Sequence, residues 1–376
     1  MSATSTVTIP KDLLPADGRF GAGPSRVRDA QLHALAGTGH QLLGTSHRQR
    51  PVKALVGRVR EGLTQLFDLP EGHEIVLGVG GATAFWDVAA LGLIRDRSQH
   101  VVHGEFSSKF ATEADRAPHL GAPSIVRADP GARAIPRFEA DIDAYAWPQN
   151  ETSTGVMSPV GRPDGVGSDQ LTLVDATSAA GGILVDVGEV DAYYFAPQKC
   201  FASDGGLWIA ALSPAAVARA EELAAADRWI PEFLSLTTAI ANSRKDQTLN
   251  TPAIATLVLL AEQIDWLLEQ GGLPFADART RSTSGLLHAW AERREETSLF
   301  VGEADARSQV VTTIDLDESV DGPVLTRILR ENGVVDIDPY RKLGRNQLRV
   351  ATFPAVPEED VRALIACLDF VMDELR

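Results

Sequence analysis

The sequence predicts an α/β domain built on a mainly parallel sheet, followed by a smaller α+β unit of about a hundred residues. Three observations carry this. Short apolar runs of strand character recur between Glu74 and Leu212, with helical or loop connections between several of them. A glycine-rich turn, Gly78-Val79-Gly80-Gly81-Ala82-Thr83, sits where one strand hands over to a helix. Gly271-Gly272 closes a long helical stretch, and the order of elements changes beyond it.

Taken in order, Val52, Leu55, Val56, Val59, Leu63, Leu66 and Phe67 recur at helical spacing and predict an amphipathic helix over 52–67. Glu74 to Val79 reads as a strand and Ala84 to Leu93 as the next helix. Strands follow at 99–103, 124–127, 171–175, 191–195 and 207–212. Asn250-Thr251-Pro252 predicts the start of a long helix reaching about Gln270, with Asn250 or Thr251 as cap and Pro252 in its first turn. Gly271-Gly272 stops it. Beyond lie a helix near 276–295, a strand over 309–316, a helix over 322–332 and a strand over 348–352. The last helix, 357–375, carries Glu358, Glu359 and Asp360 in its first turn, where the helix dipole favours negative charge. The expected division is a large domain over 16–270 and a small one over 271–376, joined by residues 1–15.

A chain of 376 residues with 44% hydrophobic content has ample core for this arrangement. Its formal charge of −16 argues against a nucleic-acid or anionic-membrane surface, because both need clustered positive charge. The two cysteines, Cys200 and Cys367, form neither a disulfide framework nor a metal-binding pattern, which fits a reducing cytoplasm. Met1 to Thr6 has neither the basic nor the apolar region of a secretory leader. The longest apolar stretch, Ile254 to Leu268, is broken by Glu262, Gln263 and Asp265, so no membrane span is expected.

Two residues point to chemistry. Asp175 closes the apolar run Leu171-Thr172-Leu173-Val174, and Lys199 follows the run Ala192-Tyr193-Tyr194-Phe195. A lysine amine forms a Schiff base with the aldehyde of pyridoxal phosphate, and a carboxylate holds the pyridine nitrogen of that cofactor protonated. The turn at 78–83 supplies the third part, since small residues and a helix N-terminus let backbone N–H groups approach a phosphate. No Lys-Ser/Thr follows it and the G-x-G-x-x-G spacing is absent, so it is neither a Walker loop nor a dinucleotide fingerprint.

Gly80-Gly81-Ala82-Thr83, the strand-end Asp175 and Gln198-Lys199 together resemble the fold-type I pyridoxal-phosphate enzymes of the class V aminotransferase group. Within that group the chain resembles the phosphoserine aminotransferases, on Thr45-Ser46-His47-Arg48, Pro148-Gln149-Asn150-Glu151-Thr152, Ala196-Pro197-Gln198-Lys199 and Asn250-Thr251-Pro252. The resemblance runs from Phe20 to Ala351 and implies a seven-stranded sheet in the large domain. It implies that Lys199 is the catalytic lysine carrying the cofactor, that Asp175 pairs with the pyridine nitrogen and that Thr152 bonds the ring hydroxyl. Ala82, Thr83 and Gln198 would hold the phosphate, completed by Asn250 and Thr251 from a second subunit of a homodimer. Phe106 stands where many relatives carry a tryptophan stacked on the ring, and Ala82-Thr83 where many have Gly-Arg.

Substrate anchors follow from two basic islands, His47-Arg48-Arg50-Lys53 and Arg341-Lys342-Arg345-Arg349. Arg349 lies inside an apolar strand, where an unpaired charge is costly, and its planar fork suits a carboxylate. The resemblance implies that Arg349 takes the substrate α-carboxylate, while His47 and Arg48 take the distal phosphate or the γ-carboxylate of glutamate. The implied reaction is ping-pong amino transfer between L-glutamate and 3-phosphohydroxypyruvate, giving 2-oxoglutarate and phosphoserine, with 4-phospho-hydroxythreonine as a further candidate substrate. An alanine–glyoxylate or serine–pyruvate aminotransferase is the nearest alternative, but small uncharged substrates have no use for the His47-Arg48 island. A cysteine desulfurase fits less well, since neither Cys200 beside the lysine nor Cys367 in the last helix reads as a loop nucleophile. A non-enzymatic binding or regulatory protein that kept the fold is a further alternative, which a recognisable DNA-binding appendage would support, and this acidic chain offers none.

Overall fold

The computed structural model describes residues 7–376; the leader reading and the first six residues assigned to the small domain lie outside the described residues. Helices α1 (Asp29–Leu42) and α2 (Arg50–Leu66) come first. α2 buries Val52, Leu55, Val56, Val59, Leu63 and Leu66 along one stripe, and a proline in its first turn has no N–H to leave unpaired. Strand β1 (Glu74–Val79) runs straight into α3 (Ala82–Gly92), and β2 (Ser98–Val102) leads to α4 (Glu105–Arg116). Then come β3 (Ser124–Arg127), β4 (Ala144–Pro148) and a short ribbon of β5 (Asn150–Glu151) with β6 (Val156–Met157). β7 (Leu171–Asp175), β8 (Ala192–Phe195) and β9 (Leu207–Leu212) complete the large sheet, and α5 (Pro214–Ala225), α6 (Leu236–Ser243) and α7 (Ile254–Gln270) follow.

The seven strands lie in the order β1-β9-β8-β7-β4-β2-β3. β9 is antiparallel to both neighbours and every other pairing is parallel. Because side chains alternate across a strand, Ile75, Leu77, Tyr193 and Phe195 pack under α2 and α7. Val76, Tyr194 and Trp208 face the opposite layer, where α3, α5 and α6 supply Phe85, Ala216 and Ile240. A sheet covered on both faces explains the near-continuous apolar runs. The carboxyl ends of β1, β2, β4, β7 and β8 therefore emerge on one edge, the usual place for a ligand in such sheets.

The remaining residues form α8 (Gly272–Arg293), β10 (Thr297–Leu299), β11 (Val311–Leu316), α9 (Gly322–Glu331), β12 (Gln347–Ala351) and α10 (Glu358–Glu374). β10-β11-β12 is an antiparallel sheet whose Ile314, Leu348 and Val350 share a core with Trp290, Leu329 and Leu364. Ile9 and Phe20 join the same core.

Two expectations are corrected. α7 begins at Ile254 with Ala253 as its cap residue and no side-chain cap, not at Asn250 or Thr251. The residue before a proline is pushed out of the helical region, so Thr251 lies outside the helix, which starts beyond Pro252. α8 begins at Gly272, directly after α7, rather than near 276; Gly271 (φ 117°) and Gly272 (φ 73°) turn the chain through two left-handed positions that only glycine adopts freely. Helices α1, α4, α5 and α6 and strands β4, β5, β6 and β10 had no sequence counterpart.

Candidate active site

At the carboxyl edge of the large sheet lies a cavity of about 440 Å³ lined by Asp175, Lys199, Thr152, Phe106, Gln198 and Arg349, among others. Lys199 is buried, and its Nζ donates to Thr152 Oγ1 at 2.7 Å. The Phe106 ring centroid stands 5.3 Å from the same Nζ. Burial pulls the Lys199 ammonium down to about 8, against the pull of the Asp175 and Glu151 charges. Gly23 (φ 149°) makes room for this side chain, because a Cβ there would stand 3.1 Å from Lys199 Cε.

Asp175 ends β7 inside the same cavity. Its carboxylate accepts from Thr177 N at 2.9 Å and from Trp86 Nε1 at 3.2 Å. Burial pushes its pKa up, while these two donors and the Lys199 charge hold it down. Trp86 was not singled out in the sequence. Its signal was a tryptophan one turn into the helix after the glycine cradle, where an apolar ring with one N–H can line a pocket and still serve a carboxylate.

Gly81 is the cap residue of α3 and offers no side-chain cap, so the first-turn N–H groups of Ala82 and Thr83 stand at the cavity lining without an intrahelical partner. Gln198 lines the same wall with its Oε1 buried and unpartnered, and an amide presents either an acceptor or a donor by a half-turn. Free N–H groups at a helix start, a buried lysine amine and a carboxylate beyond it fit a ligand that carries a phosphate, an aldehyde and a basic ring nitrogen.

Thr152 is part of a buried hydroxyl network: its Oγ1 lies 3.0 Å from Ser178 Oγ, which accepts from Asn150 Nδ2 at 2.8 Å. Beside it, the Glu151 carboxylate caps α4. It accepts from Ser107 N at 3.0 Å, Ser107 Oγ at 2.8 Å, Ser153 Oγ at 2.6 Å and Phe106 N at 3.3 Å. That cap fixes Phe106 against the cavity.

Arg349, on β12, reaches the cavity from the small sheet. Nη1 donates to Thr152 O at 3.4 Å, Nε is buried without a partner, and the Tyr340 ring centroid lies 5.3 Å from Cζ. Burial draws its pKa down. A second cavity of about 730 Å³ adjoins the first, sharing Ala22, Gly23, Pro24 and Arg349. Of the other basic residues, Lys342 pairs with Glu105, and Arg345 holds Asp315 at 2.7 Å.

The structure does not bring His47, Arg48, Asn250 or Thr251 into either cavity. It gathers three of them elsewhere: His47 Nδ1 lies 3.1 Å from Thr251 Oγ1, and Arg48 Nη1 donates to Gln247 Oε1 at 3.0 Å. His47 is held below its usual pKa by burial and by the Arg48 charge.

The family model for class-V aminotransferases matches residues 24–336. The chain belongs to the class-V aminotransferase family. A phosphoserine aminotransferase of Nocardioides sp. is 59% identical over 99% of this chain and 100% of its own length. One of Rhodococcus opacus is 57% identical, again over 99% of this chain and 100% of its own length. The crystal structure of a phosphoserine aminotransferase from Cytophaga hutchinsonii superimposes with a TM-score of 0.86 at 24% identity, over 93% of this chain and 98% of that one. The likeness shows that the class-V fold extends through both sheets.

Proposed function

We propose that the chain transfers an amino group between L-glutamate and 3-phosphohydroxypyruvate, giving 2-oxoglutarate and O-phospho-L-serine, with pyridoxal phosphate held on Lys199. The observation that carries this is the buried Lys199 amine, 2.7 Å from Thr152 Oγ1 in a cavity shared with Asp175 and Arg349, in a chain 59% identical to a phosphoserine aminotransferase. When bound, the cofactor supplies the aldehyde that receives the amino group and the ring that withdraws electrons from substrate Cα.

The side chains divide the remaining work. Lys199 Nζ would be the base that takes the proton from substrate Cα. Its depressed pKa suits that task, because a base is most effective near the working pH. Asp175 would hold a proton on the ring nitrogen, Thr152 would bond the ring hydroxyl and Phe106 would cover a ring face. Ala82, Thr83 and Gln198 bind the phosphate. Arg349, whose Nε is unpartnered and whose Nη1 makes only a 3.4 Å bond to Thr152 O, takes the α-carboxylate of each substrate. One pocket then serves two amino acids in turn, which gives ping-pong kinetics.

The reading includes a symmetric homodimer. His47-Thr251 and Arg48-Gln247 form a ready-made group outside the chain's own cavity, so a second copy would bring His47, Arg48, Asn250 and Thr251 to the phosphate ends of cofactor and substrate. The division at 270/271 into a cofactor-binding and a small domain is part of the same reading. It is supported by the separate core around Trp290, Leu329 and Leu364 and by the packing of Ile9 into it. So is a cytoplasmic enzyme of serine biosynthesis, with pyridoxine biosynthesis as a second route through 4-phospho-hydroxythreonine. Cys200 and Cys367 are free and buried, and among the described residues no helix is long and apolar enough to cross a membrane.

The test is a competition. Cofactor-loaded protein given 2-oxoglutarate with equal phosphoserine and alanine should consume phosphoserine far faster, with glutamate as product. Preferential use of alanine would replace the phosphoserine reading with a small-substrate aminotransferase.

A further inference from the structure

Arg349 is a half-buried cation with no ion-pair partner: among the described residues no carboxylate pairs with its guanidinium, and its Nε is buried without a hydrogen-bond partner. Such a group ordinarily needs a charge partner. The two acids that share the larger cavity with it, Asp336 and Asp338, are already held by Arg330 at 3.2 and 2.7 Å. What faces Arg349 instead is the ring of Tyr340, 5.3 Å from Cζ.

Tyr340 is itself fixed. It opens a short turn in which Leu343 N donates to its carbonyl at 3.0 Å, and the next side chain but one, Lys342, pairs with Glu105 at the start of α4. Its ring lies 6.1 Å from the Phe106 ring at 57°. Lys199, Phe106, Tyr340 and Arg349 thus follow one another around the cavity wall, each within 6.1 Å of the next.

We infer that Tyr340 is a positioning residue for Arg349, its ring face standing where a counter-ion would, so that the guanidinium faces the cavity with Nε–H unpartnered and Nη1 held only by the long bond to Thr152 O. A carboxylate in that place would have to be displaced by every incoming substrate. An aromatic face attracts the cation without occupying its hydrogen-bonding edge. The inference rests on the reading of Arg349 as the site of the substrate α-carboxylate.

The experiment compares O-phospho-L-serine with O-phosphoethanolamine, which differs only by lacking that carboxylate, on the cofactor-loaded enzyme. Tyr340→Leu should raise KM for phosphoserine and for glutamate by roughly 2- to 30-fold, the range a cation–π contact supports. Turnover at saturation should change far less, and the inhibition constant of phosphoethanolamine should stay at its wild-type value. Tyr340→Phe, which keeps the ring face, should recover most of the lost affinity. An unchanged KM in Tyr340→Leu would overturn the inference. So would equal weakening of both phosphorylated ligands, or a phenylalanine variant as impaired as the leucine one. Arg349→Ala separates the two claims. If it leaves the preference for phosphoserine over phosphoethanolamine intact, the Arg349 reading itself fails; if it erases that preference while Tyr340→Leu does not, only Tyr340 is misassigned.

Discussion

Lys199 Nζ donates to Thr152 Oγ1 at 2.7 Å, joining the loop after β8 to the ribbon after β4 across the floor of the cavity. The bond anchors the amine without supplying a charge, so burial dominates and draws its pKa from 10.5 to about 8. A neutral amine is the form that captures an aldehyde. Capture of pyridoxal phosphate by cofactor-free protein should therefore rise with pH and level off above about 8. The sign is opposite to that of a lysine gaining a partner: between about 8 and 10.5 the unfolded chain binds the extra proton, so the folded state gains stability as pH rises through that window. Denaturation of cofactor-free wild type against Lys199→Met should show this slope in the wild type alone. A capture midpoint near 10.5 would mean that the amine is not desolvated.

Asp175 accepts from one backbone and one indole donor, and the Lys199 charge acts on it across the cavity. Asp175→Asn keeps the shape and removes the anion that holds a proton on the ring nitrogen. Turnover should fall by roughly 10²-fold or more, the scale of one preorganised electrostatic group. The bound cofactor should remain visible by absorbance. Near-normal turnover in this variant would assign the ring nitrogen to another acid.

Glu151 links stability to the site. It is fully buried and accepts from Ser107 N, Ser107 Oγ and Ser153 Oγ at 3.0, 2.8 and 2.6 Å. Glu151→Ala strands those donors and uncaps α4, so chemical denaturation should show a loss of about 2–3 kcal/mol. Phe106, in the first turn of α4, should lose its fixed place, and cofactor affinity should drop with it. A stability change under about 0.5 kcal/mol would show that water replaces the carboxylate at no cost.

The proposed shared-site dimer predicts complementation. Lys199→Ala and Arg48→Ala should each be nearly inactive, the second by 2–5 kcal/mol if its ion pair with substrate is desolvated. Mixed subunits should regain up to about a quarter of wild-type activity, because half of randomly assorted dimers are hybrids with one intact site. No recovery in demonstrated hybrids would place Arg48 and Lys199 in the same subunit's site.

Much of this was legible in the chain because the chemistry sits at ends of apolar runs. Asp175 and Lys199 each follow a buried strand, and the parallel order of β7 and β8 carries both to one edge. Arg349 stood out because a charge inside an apolar strand needs a reason. Trp86 and Tyr340 did not stand out, because their roles come from what they face, Asp175 in one case and Arg349 in the other. Sequence spacing carries no record of that. The Asn250-Thr251-Pro252 reading failed at its local step for a related reason. Thr251 spends its hydroxyl on His47, over 200 positions away, rather than on the helix that follows. The missing helices α1, α5 and α6 are alanine-rich or mixed, so packing rather than periodicity fixes them.

The most direct test is reductive trapping. Borohydride treatment of the cofactor-loaded protein, followed by peptide mapping, should place the label on Lys199 alone, and Lys199→Ala should fold normally yet take up none. A label on any other lysine, or undiminished labelling of the alanine variant, would contradict the site as a whole.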